Sequence, residues 1–283
     1  MRRRIIQIIS TLAANPSFLS VYRKGIYQGN LKSICVPILN CYACPLAVGS
    51  CPIGSLQNIL ASVRASFAIA QYHIGLYVIG LLGIVGSLAG RMPCGWLCPF
   101  GLLQEMLYKI PSPKISIHRA MSYLKYVFLL IMVIVLPILI VDELGYGQTW
   151  FCKFICPAGT LEAGLPLIVL IEGLRSQLGL LFSWKVGLLV IFLVWMIVSK
   201  RPFCRVVCPL GAIFSLFNRV SFFRMVVDKD KCTKCDICYK NCPMELKIYE
   251  DSNNPDCIRC LNCVKTCKAG ALSFKFVKNN NTD

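Results

Sequence analysis

Three stretches of the chain stay apolar for long enough to cross a bilayer as helices, because a hydrocarbon core of about 30 Å takes about 20 helical residues. They run from about Ser66 to Gly90, from about Ser122 to Val141 and from about Leu180 to Ser199. A fourth stretch, Ile5 to Tyr22, is interrupted by Asn15-Pro16 and sits at the short end of the spanning range, where a helix either crosses or lies in the interface. The run Leu165 to Ile171 is apolar but too short to cross, and reads as a re-entrant or interfacial piece. Gly80, Gly83, Gly86 and Gly90 fall on one helical stripe, which predicts close helix packing. The pattern divides the chain into an N-terminal hydrophobic segment with a cysteine-rich loop (1–65), a helical membrane domain (66–227) and a small C-terminal domain (228–283). The fold expected is mainly α: a polytopic membrane domain of about four transmembrane helices, followed by an α+β module.

Composition supports this division. The 283 residues are 56% hydrophobic and 15% charged, against about 25% charged in a soluble domain. A net charge of +17 would suit nucleic acid, but the excess is not massed on the C-terminal domain, which holds 10 basic and 8 acidic residues. With four crossings, the N-terminus, the loop from Arg91 to about Lys125 and everything after Ser199 share one side. Up to Val227 that side carries 13 basic residues and one acid, Glu105, against 7 basic and 4 acidic on the other. The positive-inside rule then makes the chain a multi-pass protein of the cytoplasmic membrane with its C-terminal domain in the cytoplasm. Lipid, not nucleic acid, is the partner this predicts.

The 18 cysteines carry the chemistry. At the C-terminus, Cys232, Cys235, Cys238 and Cys242 are followed by Cys257, Cys260, Cys263 and Cys267, each set spaced C-x2-C-x2-C-x3-C. In the bacterial ferredoxin run of this spacing, the first three thiolates hold one [4Fe-4S] cluster and the fourth crosses to the other. The expected ligand sets are Cys232, Cys235, Cys238 with Cys267, and Cys257, Cys260, Cys263 with Cys242. Four-thiolate zinc sites use paired C-x2-C units instead. Lys268 stands where a proline would complete the second motif, and the ligand set is untouched by it.

Three more pairs repeat the pattern C-x3-C-P-x-G: Cys94 with Cys98, Cys152 with Cys156, and Cys204 with Cys208. Cys94, Cys98, Cys204 and Cys208 lie on the predicted cytoplasmic side and together supply the four thiolates of a third cluster; metal-free thiol pairs are the alternative. On the opposite side stand Cys152, Cys156, Cys35, Cys41, Cys44 and Cys51. Four of these six would make a fourth cluster, with Cys41, Cys44 and Cys51 the candidates beside the pair, and a disulfide is the alternative in an oxidising compartment. His73 is the histidine inside a hydrophobic segment, a solvated residue or a quinone or proton-relay site; with His118 on the other face, haem ligation across the bilayer is not expected.

The run Pro93-Cys94-Gly95-Trp96-Leu97-Cys98-Pro99-Phe100-Gly101-Leu102-Leu103-Gln104, the later Cys204 to Pro209 motif and the two ferredoxin motifs resemble the membrane iron-sulfur proteins of the NapH, NosR and CcoG group. The resemblance implies a polytopic membrane protein with cytoplasmic-side C-x3-C-P motifs and a ferredoxin module, and in NapH-like members the passage of electrons from quinol. The pair Cys152 and Cys156 and the stretch from Asn40 to Gln57 depart from that pattern, as a cysteine-richer branch with redox centres on both faces. No G-x-S-x-G, P-loop or G-x-G-x-x-G motif is present. The function expected is therefore electron transfer between a membrane-side donor or acceptor, quinol included, and a redox partner protein, as a subunit or a quinol dehydrogenase component more than a stand-alone enzyme. The rivals are a metalloprotein assembly factor and a redox-sensing anchor.

Overall fold

The computed structural model describes residues 2–68, 75–143 and 145–276. Two of its helices are long and apolar enough to cross a membrane, Arg119–Leu139 and Leu180–Val198, each with a mean hydropathy of 2.3. Leu180, Val190, Ile191 and Val194 point outward from the second of them, as the lipid-facing side of a membrane helix does. The other two expected crossings are shorter. Proline at position 16 lacks an amide to continue a helix, so the N-terminal stretch divides into Arg2–Ala14 (α1) and a single turn, Phe18–Tyr22. The stretch Ser66 to Gly90 is not one helix either: Pro52–Ala68 (α2) ends inside it and Leu76–Ala89 (α3) starts after Gly75. His73 lies outside the described residues.

Further along run Pro99–Leu107 (α4), Arg119–Leu139 (α5), Pro157–Leu170 (α6), Leu180–Val198 (α7) and Pro209–Phe217 (α8). The middle of α5, Leu129–Val135, is a π-helical stretch, the wide turn that recurs at functional sites. Polar contacts fix the ends of these helices at two poles. At one pole, α3 begins beside Cys35, whose amide donates to Tyr77 Oη at 3.2 Å, and α7 begins with Trp184 Nε1 on the carbonyl of Phe154 at 3.2 Å. At the other, α3 ends where the Arg91 amide donates to Asn218 Oδ1 at 2.8 Å, and α7 ends with the Ile115 amide on the carbonyl of Val198 at 2.9 Å.

Only part of the glycine stripe packs. A Cβ on Gly86 would come within 2.6 Å of the Phe217 ring, whereas Gly80 and Gly83 face open space. Gly90 has φ +56 and lies against Asn218 and Arg259, a conformation that glycine adopts without penalty.

The C-terminal module closes with an antiparallel pair, Phe223–Val227 (β1) and Leu272–Phe276 (β2), in which Met225 is opposite Phe274. Its first strand thus precedes Asp228, and its short run of apolar residues merges with the preceding helix when read as hydropathy alone. Two one-turn helices, Ile237–Lys240 (α9) and Asn262–Thr266 (α10), pack against each other, and α10 packs on β2.

Candidate metal centres

In the C-terminal module each C-x2-C-x2-C triplet bends the same way. Lys234 and Asp236 around Cys235, and Arg259 and Leu261 around Cys260, all have positive φ, so the backbone curls and turns successive amides toward the sulfurs, as in an anion-binding nest. Cys257, Cys260 and Cys263 line one small cavity with Cys242, the crossed set that the spacing predicts. Cys232, Cys235 and Cys238 act on one another electrostatically, and α9 packed on α10 brings that triplet toward Cys267, which ends α10. The two sites differ in exposure. Burial pushes the Cys257 thiol up to about 12, while Cys235 is exposed and the Ile237 amide lowers it.

The C-x3-C-P-x-G motifs share one local structure. The first cysteine lies in a five-residue helical turn, Met92–Trp96, Trp150–Phe154 or Pro202–Val206. The second is the extended residue before the next helix, with φ/ψ of −69/119 at Cys98, −60/107 at Cys156 and −65/112 at Cys208. Proline follows at the first helical position, where its missing amide costs nothing and its fixed φ suits the helix. The glycine amide then faces the cysteine sulfur: Gly211 donates to Cys208 Sγ at 3.4 Å, and Gly101 and Gly159 favour the thiolates of Cys98 and Cys156 in the same way.

The first and third motifs face each other in a reciprocal arrangement. Arg91, three residues before Cys94, donates to the carbonyl of Cys204; Arg201, three residues before Cys204, donates to the carbonyl of Cys94 at 2.9 Å. A Cβ on Gly101 would stand 3.2 Å from the Arg201 guanidinium, and one on Gly211 2.6 Å from that of Arg91, so the motif glycine makes room for the partner's arginine. All four thiols are buried, and Cys94, Cys98 and Cys208 each lie within electrostatic reach of Cys204. Burial pushes Cys98 up to about 12 and raises Cys94 and Cys208. Gln104 Nε2 donates to Cys204 Sγ at 3.0 Å. Burial works against charge on both arginines, but Asp256 and the thiols outweigh it at Arg91, as Glu105 and the thiols do at Arg201.

The second motif pairs instead with the N-terminal loop. Cys41, Cys51, Cys152 and Cys156 line one cavity of about 690 Å³. Cys35 and Cys44 are buried nearby but do not line it. No disulfide joins any of the eighteen cysteines. This group is not a bilayer's width from the first: the Leu39 amide faces Cys98 and the next amide, Asn40, faces Cys51.

The ferredoxin module is seated on the first motif. Trp96 Nε1 donates to the carbonyl of Arg259 at 2.9 Å, Gly95 lies against the carbonyl of Ile258, and Arg91 pairs with Asp256 at 3.0 Å. Arg201 acts on the thiols of both Cys98 and Cys260. Arg91, Arg201, Arg205 and Lys125, counted in the sequence among the cytoplasmic charges, are thus buried and paired with Asp256, Glu105 and Glu245. The sequence reading missed these pairs and the Gln104 contact to sulfur; for Arg91 and Arg201 the repeated offset of three residues before Cys94 and Cys204 is the signal that could have found them.

Among the described residues no three His, Cys, Asp or Glu side chains converge on one point as ligands of a single ion do. Amide donors on the sulfurs and guanidinium charge close by suit an anionic centre held by thiolates, as a [4Fe-4S] cluster is.

A family model described as a 4Fe-4S binding domain matches the chain three times, over residues 72–118, 124–168 and 180–228. Each match holds one C-x3-C-P motif, and none reaches the ferredoxin run. The uncharacterized protein MJ0749 of Methanocaldococcus jannaschii is 33% identical over 75% of this chain and 76% of its own length. The ferredoxin-type protein NapH of Haemophilus influenzae is 23% identical over 96% of the chain and 88% of its own. The regulatory protein NosR of Stutzerimonas stutzeri is 30% identical over 75% of the chain, which spans 29% of NosR. No solved structure matches the chain. Its repeated 4Fe-4S unit and these relatives make the chain a member of the NapH/NosR-like family of 4Fe-4S ferredoxin-type proteins.

Proposed function

We propose that the chain is a membrane-bound electron carrier that links a redox partner at the exposed Cys235 end of the ferredoxin module to a membrane-side donor or acceptor, a quinol or a second redox protein. Its centres are [4Fe-4S] clusters on Cys232, Cys235, Cys238 and Cys267, on Cys242, Cys257, Cys260 and Cys263, and on Cys94, Cys98, Cys204 and Cys208. Such clusters take up and release single electrons at potentials set by charge, hydrogen bonds to sulfur and solvent exposure. The crossings of α5 and α7 put the loop from Arg91 to His118 and the ferredoxin module on the same side of the membrane, the cytoplasmic one, where the module is seated on Pro93–Cys98.

The observation that carries this reading is the seating of the loop Asp256–Cys260 on the turn Pro93–Cys98. Arg201 acts on the thiols of both sets, its charge offsetting that of both, while Trp96 bonds the carbonyl of Arg259 and Gly95 packs on the carbonyl of Ile258. Gln104 and the Gly211 amide stabilise electron density on Cys204 and Cys208.

The test is the iron and acid-labile sulfide of anaerobically purified full-length protein, with EPR during a reductive titration. Cys94→Ala and Cys204→Ala should each remove about four irons, one cluster's worth, and the same EPR component. About 8 irons per chain, unchanged in both variants, would confine clusters to the ferredoxin module and overturn the route through the membrane domain.

A further inference from the structure

The turn C-P-x-G occurs four times, because Cys51-Pro52-Ile53-Gly54 precedes α2 just as its counterparts precede α4, α6 and α8. The amide of Gly54 favours the Cys51 thiolate, as the motif glycines do for Cys98 and Cys156. The likeness extends along the helix. Cys51-Pro-Ile-Gly-Ser-Leu-Gln57 runs parallel to Cys98-Pro-Phe-Gly-Leu-Leu-Gln104, and Gln57 Nε2 donates to Cys152 Sγ at 3.2 Å where Gln104 donates to Cys204 Sγ at 3.0 Å. Both glutamines are fully buried. The helix that starts at Cys51 therefore stands to Cys152 and Cys156 as the helix that starts at Cys98 stands to Cys204 and Cys208.

The copy is incomplete at one position. Four residues before Cys51, where Cys94 would stand, is the buried Ala47, which has no donor atom to offer a metal. Cys41 takes its place: it lines the same cavity as Cys51, Cys152 and Cys156, and its sulfur is 3.7 Å from where a Cβ on Gly159 would lie. The arginines are also absent here, with Cys44 and Thr149 at the matching positions, and positive charge comes instead from Lys32, Lys153 and Lys185 on the cavity wall.

We infer that Cys41, Cys51, Cys152 and Cys156 hold a further [4Fe-4S] cluster, the counterpart of the one on Cys94, Cys98, Cys204 and Cys208, with the Leu39–Asn40 backbone between the two. The assignment rests on the cluster reading of that first site. Each thiol gives its proton to solvent as it binds iron, and the lysines offset the anionic cluster that results.

The experiment uses full-length protein purified anaerobically, with iron, sulfide and EPR-monitored titration as readouts. Wild type should hold about 16 irons, four per cluster. Cys41→Ala and Cys152→Ala should each lose about four together with one EPR component, while Cys35→Ser and Cys44→Ser keep the full content. Gln57→Leu should keep its iron and move that component to lower potential, because a donor to sulfur favours the reduced cluster, as Gln104→Leu should for the other. Full iron in Cys152→Ala alongside the loss in Cys94→Ala would overturn this site and leave the first intact; full iron in both would remove the foundation. Loss in Cys44→Ser but not Cys41→Ala would overturn the ligand set. Unmoved potentials in Gln57→Leu would do so as well if the cysteine variants fail to fold.

Discussion

Trp96 Nε1 donates to the carbonyl of Arg259 at 2.9 Å, which ties the first C-x3-C turn to the second ferredoxin triplet. Trp96→Phe keeps the ring and removes the bond. The expected loss is about 0.5–1.5 kcal/mol, the net worth of one intramolecular hydrogen bond, read from denaturant unfolding in detergent. Limited proteolysis should release the module sooner than in wild type, with the iron content unchanged.

Gly95 is where the module's backbone comes nearest. A Cβ there would overlap the carbonyl of Ile258, so Gly95→Ala should push the loop outward at a cost of about 1–3 kcal/mol, as overpacking does. Stopped-flow reduction of the membrane-domain centre through the module should slow in this variant. Equal rates would show that electrons do not pass by this contact.

Asp256 joins Arg91 and Lys125, both of them buried. Asp256→Ala leaves two cations without their partner, and breaking such a pair costs about 3–5 kcal/mol. Thermal unfolding should show a large drop, and replacing Asp256 with Asn should recover only part of it.

Glu105 links Arg3 and Arg201. Burial raises its carboxyl, but Arg201 and Arg3 outweigh this and hold it below the usual value. Its contribution to stability is therefore complete above about pH 4.3, the unfolded value, and is lost as pH falls through the lower folded value. The stability gap between wild type and Glu105→Gln should stay constant from pH 8 to about 5 and close in acid below about 4; a gap that widens in acid would contradict the ion pair.

The chemistry was more legible than its surroundings. Spacing alone sends Cys242 to the second triplet, and Cys242 lines one cavity with Cys257, Cys260 and Cys263. The expectation that Cys94 and Cys98 act with Cys204 and Cys208 came from the repeated motif, and the first and third motifs do face each other. Hydropathy misjudged the charges: Arg91 and Arg201 look like headgroup-facing residues because a window average cannot see a carboxylate more than a hundred residues away, at Asp256, or one at Glu105. It also ran one apolar stretch past the end of α2 at Ala68 and the start of α3 at Leu76, because average hydropathy does not mark where a helix ends. The choice among Cys35, Cys41, Cys44 and Cys51 depends on how an irregular loop folds back, which local pattern does not encode.

The four C-P-x-G turns come together alternately, the first with the third and the second with the fourth. Synthesis proceeds from the N-terminus, so neither thiol set is complete until late: one waits for Cys156 and the other for Cys208. A ribosome stalled between Cys98 and Cys152 has made parts of both and the whole of neither. On the proposed cluster assignment, assembly in the membrane domain follows the synthesis of Cys156 and Cys208, and the earlier thiols stay unmetallated until then.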